Sequence, residues 1–208
     1  MTANDDALLP RAPFANLPVK SGTGHGVIAL DRDGLGLATV HVRQGRNAAL
    51  AERVRECFGT ELPQGPRRIA VGGLAFAGIG PQAWLAAREQ GGNAFAESLK
   101  AAIGDLASVS DQSDGYAVLR LTGPKLRETL SKVVPIDLHP RAFEPGDVVS
   151  TLASHIGATL WRLDDAADGL PVIEVAVFRS LAADFWHALS DSAAEFGLVV
   201  AGGERPGQ

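Results

Sequence analysis

Apolar positions along the chain change period several times, and each change marks an expected element. Residues 27–31 (VIALD) and 38–43 (ATVHVR) alternate as two strands, with Asp33-Gly34 between them as a hairpin-type turn. Asn47 reads as the N-cap of a helix whose Leu50, Val54, Cys57 and Phe58 recur at helical spacing, and Gly59 suits its left-handed C-terminal cap. That spacing puts Cys57 on the apolar face as a small buried residue. Residues 68–77 (RIAVGGLAFA) read as one buried strand with Gly72-Gly73 as a bulge, residues 78–82 (GIGPQ) as a turn, and AWLAARE as the next strand through Trp84. Asn93 then caps a helix carrying Phe95, Leu99 and Ile103, which Gly104 ends.

The second half is denser. Residues 107–110 lead into the turn DQSDG (111–115), and Ala117, Leu119 and Leu121 alternate with Val118, Arg120 and Thr122 as a half-buried strand. Gly123-Pro124 opens a helix with Pro124 at its first position, where the missing N–H costs nothing. Leu126, Leu130, Val133 and Val134 form its buried stripe, Glu128 and Lys132 pair on its wet face, and Pro135 stops it. Strands follow at residues 148–155, 158–163 and 172–178. The last of these (VIEVAVF) is almost continuously apolar and is expected to be central. Ser180 caps a final helix with Leu181, Phe185, Leu189 and Phe196 inward and Gly197 at its end.

This succession of strands and helices is α+β, with mixed, largely antiparallel sheets and flanking helices. Residues 1–26 are expected to form an extended arm, with Pro10, Pro13 and Pro18 breaking it and Phe14 and Leu17 giving it apolar contacts. Residues 27–200 form the main domain, divisible into two halves near residue 105, and residues 201–208 a frayed tail.

Composition narrows the function. The chain has 208 residues, 46% of them hydrophobic, enough for a real core. A net charge of −5 with scattered Arg and Lys argues against nucleic-acid binding. A single cysteine excludes a disulfide framework within the chain. The N-terminus lacks the basic-then-apolar order of a secretion signal and no long apolar run is present, so a cytoplasmic, membrane-free protein is expected.

No constellation carries chemistry. GTGHG (22–26) precedes a strand, whereas a dinucleotide loop lies between a strand and a helix N-terminus. His25, His41, His139, His155 and His187 do not fall at metal-ligand spacing. Asp164 and Asp165 lie in a solvated turn, where nothing separates their pKa values for acid–base work. No serine has an elbow motif or a base. Catalytic, cofactor-binding and metal residues are therefore expected to be none. Trp84 and Trp161 read as core or interface anchors. The stiff loop LHPRAF presents His139, Arg141 and Phe143, and Trp186 follows Phe185 on a different helix face. These four residues are the expected partner contacts, and Arg141 is expected to fork to a carboxylate, within the fold ahead of across an interface.

Residues 110–143 resemble the gamma subunit of heterotetrameric sarcosine oxidase. The matching features are Asp111-Gln112-Ser113 with Gly115, the strand and turn AVLRLTGP (117–124), Leu126, Arg127 and Leu130, and PIDLHPRAF (135–143). The likeness continues through TLASHIGATLWRLDD (151–165), VFRSLA, and FWHALSDSAAEFG (185–197), and more thinly through RAPF and GIGPQAWL. The resemblance implies the fold of the folate-binding domain of the glycine-cleavage T-protein. It also implies a non-catalytic companion chain in a complex that oxidatively demethylates sarcosine to glycine, giving hydrogen peroxide and a one-carbon unit for tetrahydrofolate. FAD, FMN, NAD and tetrahydrofolate would then sit on the other subunits, with the alpha subunit as main contact and beta and delta completing the complex. The competing reading is a stand-alone folate-binding, aminomethyl-transferring protein.

Overall fold

A computed structural model describes residues 12–14, 17 and 24–201. Eleven strands and four α-helices follow in the order β1 (Val27–Asp31), β2 (Gly36–Val42), α1 (Asn47–Phe58), β3 (Arg68–Val71), β4 (Leu74–Gly80), β5 (Ala83–Arg88), α2 (Ala94–Ile103), β6 (Ala107–Asp111), β7 (Tyr116–Thr122), α3 (Leu126–Leu130), β8 (Val148–Ala153), β9 (Ile156–Leu163), β10 (Val172–Phe178), α4 (Ala182–Ala193) and β11 (Leu198–Ala201). They build a six-stranded sheet in the order β11-β1-β7-β10-β9-β8 and a five-stranded sheet in the order β3-β4-β5-β2-β6. All pairings are antiparallel except β1 with β11.

Side-chain alternation stacks these into four layers. Ile173, Val175 and Val177 of β10, with Leu119, Leu121 and Leu160, pack on α3 and α4 through Leu126, Leu130, Phe185, Trp186 and Leu189. The opposite face sends Val118, Trp161, Ala176 and Val148 against Leu37, Ala77 and Leu85 of the five-stranded sheet. That sheet's far face, with Val40, Leu74, Phe76 and Ala86, is covered by Leu50 and Val54 of α1 and Phe95, Leu99 and Ile103 of α2. Both faces of both sheets are covered, so β10 reads as continuously apolar while the helices show stripes. β10 stands inside the six-stranded sheet, as its apolar run implied.

The α+β class and the largely antiparallel sheets agree with expectation; several local assignments do not. Asp33-Gly34 turns, but it joins no hairpin: β1 pairs with β7 and β11, and β2 pairs with β5 and β6. The chain changes sheet there, which local alternation does not encode. Residues 68–80 are two strands, not one, because Gly72 and Gly73, at φ of 57° and 80°, form the two-residue turn of the β3–β4 hairpin. β4 then runs on to Gly80, so only Pro81-Gln82 turns. β8 stops at Ala153, because Ser154 takes φ of 57°. Residues 198–201, assigned to no element, form β11, held by its parallel pairing to β1.

Helix starts also moved. Arg46, not Asn47, is the N-cap of α1; Asn93 stands at the N-cap of α2 as expected but without a side-chain capping bond, its amide N–H donating to Asp114 Oδ2 at 3.2 Å. α3 begins at Leu126, two residues after Pro124. α4 begins at Ala182 beyond a short 3-10 turn containing Ser180. Glu128 pairs with Lys125, while Lys132 reaches Glu195 on the segment after α4. Cys57 is exposed: the buried stripe runs Leu50, Val54, and Cys57 sits off it at the rim. Trp186, expected to offer an outward contact, is 1% exposed and packs against Phe14 with ring centroids 6.0 Å apart. That contact also orders the described part of the arm.

Trp186→Ala is expected to cost about 3–5 kcal/mol, the range for removing a large buried aromatic. Denaturant unfolding of the purified chain measures it; unchanged stability would mean that Trp186 is not core.

Candidate functional site

Three places among the described residues bear on function: a charged cluster between the sheets, the loop before β8, and a cleft beside Trp84.

The charged cluster is built by strand register. Glu174 of β10 lies directly opposite Arg120 of β7 on one side and Trp161 of β9 on the other. All three point into the layer between the sheets. Glu174 Oε1 accepts from Arg120 Nε and Arg32 Nε, each at 2.9 Å, and Arg120 Nη2 lies 2.8 Å from it in the same ion pair. Its Oε2 accepts from Trp161 Nε1 at 2.6 Å. The Glu174 side chain is 4% exposed, so these charge-assisted bonds replace nearly all of its water. Arg32, just past β1, also pairs with Glu89 at the end of β5, which ties the cluster to the second sheet. Arg68 on β3 completes the field. Burial holds its guanidinium below the ordinary value; attraction to Glu174 and Glu89 opposes that and repulsion from Arg120 and Arg32 adds to it. Three guanidinium groups thus face two carboxylates.

Chemically, this arrangement is a clamp. Both Glu174 oxygens are bonded, and guanidinium groups do not exchange protons near neutral pH. The sequence reading passed over Glu174. Its signal was a lone acid inside an apolar strand, where a carboxylate must find partners.

The DQSDG turn is structural as well. Ser113 Oγ lies 2.7 Å from Asp111 Oδ1 and accepts from Leu37 N–H at 3.1 Å, fixing the crossing from β6 to β7 against β2. Asp165 is engaged by buried Arg162, which also donates to the carbonyls of Leu163 and Val172. Among the described residues, no group of three or more His, Cys, Asp or Glu is placed to hold a metal ion. No described helix is long and apolar enough to cross a membrane.

In the loop before β8, Asp137 Oδ1 accepts from His139 N–H at 2.8 Å, and the His139 carbonyl accepts from Ala142 and Phe143. His139 and Arg141 stand exposed on this stiff turn. Phe143 does not: it is 5% exposed and belongs to the core beneath α3 and α4. No carboxylate pairs with Arg141 among the described residues, so the expected ion pair within the fold is not formed. Of the four expected contacts, two are surface and two, Phe143 and Trp186, are core.

The cleft holds about 580 Å³ and lies where α1, residues 62–66, β4, the Pro81-Gln82 turn and Ser150 of β8 meet. Trp84 forms its wall and donates through Nε1 to the carbonyl of Pro63 at 2.9 Å. Gly78 permits the close approach of residues 65–67, since a Cβ there would lie 2.0 Å from the Gly65 carbonyl oxygen. None of the residues around the cleft is charged.

Elsewhere, Asp31 is the acid most displaced from its ordinary range. Burial pushes it up to about 6, only partly offset by the Phe14 N–H that reaches its Oδ2 at 3.4 Å. A folded-state value above the unfolded one means the folded chain holds the proton more tightly. Stability from this residue is full below about pH 4 and declines as pH rises through about 6.

Asp31→Asn is therefore expected to match the parent near pH 4 and to exceed it in unfolding free energy at pH 7. A constant difference across the range would exclude Asp31 as the titrating group. For the cluster, Glu174→Ala is expected to lose about 3–5 kcal/mol by leaving buried guanidinium groups unpaired. Adding Arg120→Met should then cost less than its effect alone. Urea unfolding of the two single variants and the double variant measures the coupling.

Comparison with known proteins now bears on this geometry. Residues 43–195 match the model of the sarcosine oxidase, gamma subunit family. A sarcosine oxidase subunit gamma of Corynebacterium sp. (strain P-1) is 42% identical over 57% of this chain, and the match spans 57% of that relative's length. One from Arthrobacter sp is 32% identical over 77% of this chain and 81% of its own. Among solved structures, a chain of the heterotetrameric sarcosine oxidase from Corynebacterium sp. U-96, in complex with pyrrole 2-carboxylate, superposes with a TM-score of 0.75 at 27% identity, over 90% of this chain and 96% of that one. The glycine cleavage system aminomethyltransferase T from Bartonella henselae shares the fold, with a TM-score of 0.59 at 14% identity over 86% of this chain and 48% of that one. The chain belongs to the sarcosine oxidase gamma subunit family.

Proposed function

We propose that this chain is the accessory gamma subunit of a heterotetrameric, flavin-dependent sarcosine oxidase, and that it contributes architecture rather than catalysis. The observation that carries this reading is the saturation of Glu174. Glu174, the buried carboxylate among the described residues, is bonded through both oxygens by two arginines and a tryptophan, which leaves it little to offer a ligand. The cleft beside Trp84 is lined by uncharged residues. A zwitterionic amino acid would enter it with both charges unpaired, at a cost of several kcal/mol.

The residues also fit poorly to a folate or flavin of their own. Leu37, Leu85, Trp161 and Ala176 fill the layer between the sheets, and Glu174 within it is spent on arginine. FAD, FMN, NAD and tetrahydrofolate accordingly belong to the other subunits in this proposal, with the alpha subunit as the main contact and beta and delta completing the complex. Exposed His139 and Arg141 serve as partner contacts from their stiff loop. Without a carboxylate partner among the described residues, Arg141 can fork to one on the partner.

Expression of the chain alone and together with its partner subunits tests this. The chain alone is expected to be colourless, to release no peroxide from sarcosine and to give no heat with tetrahydrofolate. Co-expressed, it should co-purify with flavin-bearing subunits. Flavin or tetrahydrofolate bound tightly by the isolated chain would overturn the assignment in favour of a self-sufficient folate-family protein.

A further inference from the structure

The outer edge of β8 opens directly onto the cleft beside Trp84. β8 is the last strand of its sheet; beyond the bridge of Arg67 to Asp147 at its start, it pairs only with β9 among the described strands. Hydrogen-bond alternation shows which of its backbone groups face outward. Arg162 N–H donates to the Asp147 carbonyl at 2.9 Å, so Asp147, and by alternation Val149, Thr151 and Ala153, turn their backbone groups to β9. Val148 points the other way and donates to the Pro66 carbonyl at 2.9 Å, and Ser154 donates to the carbonyl of Val133. Between these two anchors lie Ser150 and Leu152, of the same outward parity. Among the described residues neither has a backbone partner on that side.

The anchoring residue Pro66 and the unpaired Ser150 both line the cleft, so edge and concavity are continuous. Leu152, next along the edge, is 52% exposed. Gln82 at the rim holds φ of 57°, a conformation that costs a non-glycine residue energy and that clusters at binding features. An open edge of this kind is a template for a further strand, and proteins whose edges are not meant to pair usually cover or charge them. Here, instead of a blocking charge, an uncharged apolar hollow adjoins it.

Those features specify the occupant. Free N–H and C=O groups along β8 demand an extended backbone. The uncharged walls of Leu62, Pro63, Ile79, Pro81 and Trp84 demand an apolar side chain. The described parts of this chain's own ends lie elsewhere: Phe14 and Leu17 pack with the α3/α4 core, and β11 is the opposite edge of the sheet. Resting on the accessory-subunit reading, we infer that the β8 edge at Ser150 and Leu152, with the Trp84 cleft beneath it, receives an extended, uncharged segment of another subunit of the oxidase. That segment adds to the sheet by backbone hydrogen bonds and seats one apolar side chain against Trp84.

Amide hydrogen exchange in the assembled complex tests this with an internal control. Val149 and Thr151 are bonded to β9 and should exchange slowly in any case. The inference expects Ser150 and Leu152 to be equally slow. Exchange of these two faster than their neighbours by on the order of a hundredfold would overturn it. Two variants give an independent arm: Ala51→Trp to fill the cleft, and Ser150→Pro to remove one outward donor, a change an edge strand tolerates. Each is expected to lower recovery of the partner subunits by about tenfold, the effect of losing roughly 1.4 kcal/mol of contact, with the circular dichroism of the chain unchanged. Undiminished recovery with both variants would overturn the inference. So would a dimer of this chain that the same variants abolish, or protection of Ser150 that disappears on deleting residues 1–11. Failure of the unaltered chain to assemble with any partner would instead remove the accessory-subunit reading itself.

Discussion

The architecture hangs on one buried carboxylate. Two sheets packed face to face bury whatever side chains line the space between them, and here that space contains Glu174. A charge in that position is tolerable only when water is replaced by equally strong partners. Arg120 and Trp161 supply them from the neighbouring strands of the same sheet, and Arg32 carries the network across to Glu89 at the end of β5. The cluster therefore specifies the register of β7, β10 and β9 and the placement of the second sheet at once. Slipping any one of these strands by a residue would turn its polar member to the helix face and take it out of the cluster.

That commitment shapes what the molecule can do. A carboxylate bonded through both oxygens offers little to a ligand, and the cleft beside Trp84 is uncharged. The features left for interaction are a stiff loop with His139 and Arg141 exposed, and an unpaired strand edge beside an apolar cleft. In the proposed accessory role these are the surfaces offered to other chains of the complex.

Much of the molecule was legible from local pattern. The strands at residues 27–31 and 172–178 and the helix ends at Gly59 and Gly104 follow from alternation, helical spacing and glycine caps. Several of the errors share one cause: local sequence allowed two outcomes and a distant partner chose between them. Gly72-Gly73 suits a bulge as well as a tight turn, and only pairing of β3 with β4 makes it the latter. Residues 198–201 are too short to be a strand unless β1, far away in sequence, is alongside. Phe143 and Trp186 looked available because loop stiffness and helix phase say nothing about what packs on them; α3, α4 and Phe14 bury both.

By itself the sequence determined the α+β class, most element types and the family, since PIDLHPRAF and its neighbours are contiguous signals. Tertiary structure alone decided which strands share a sheet, which aromatics are core, and how Glu174 is satisfied. It also decided that Ser150 and Leu152 are left facing open space beside Trp84. The physical reason is range. Propensity, capping and alternation act over a few residues and are written in neighbouring letters. Sheet partnership, burial and charge pairing join residues such as Arg32 and Glu174, which stand far apart in the chain and meet only when it folds.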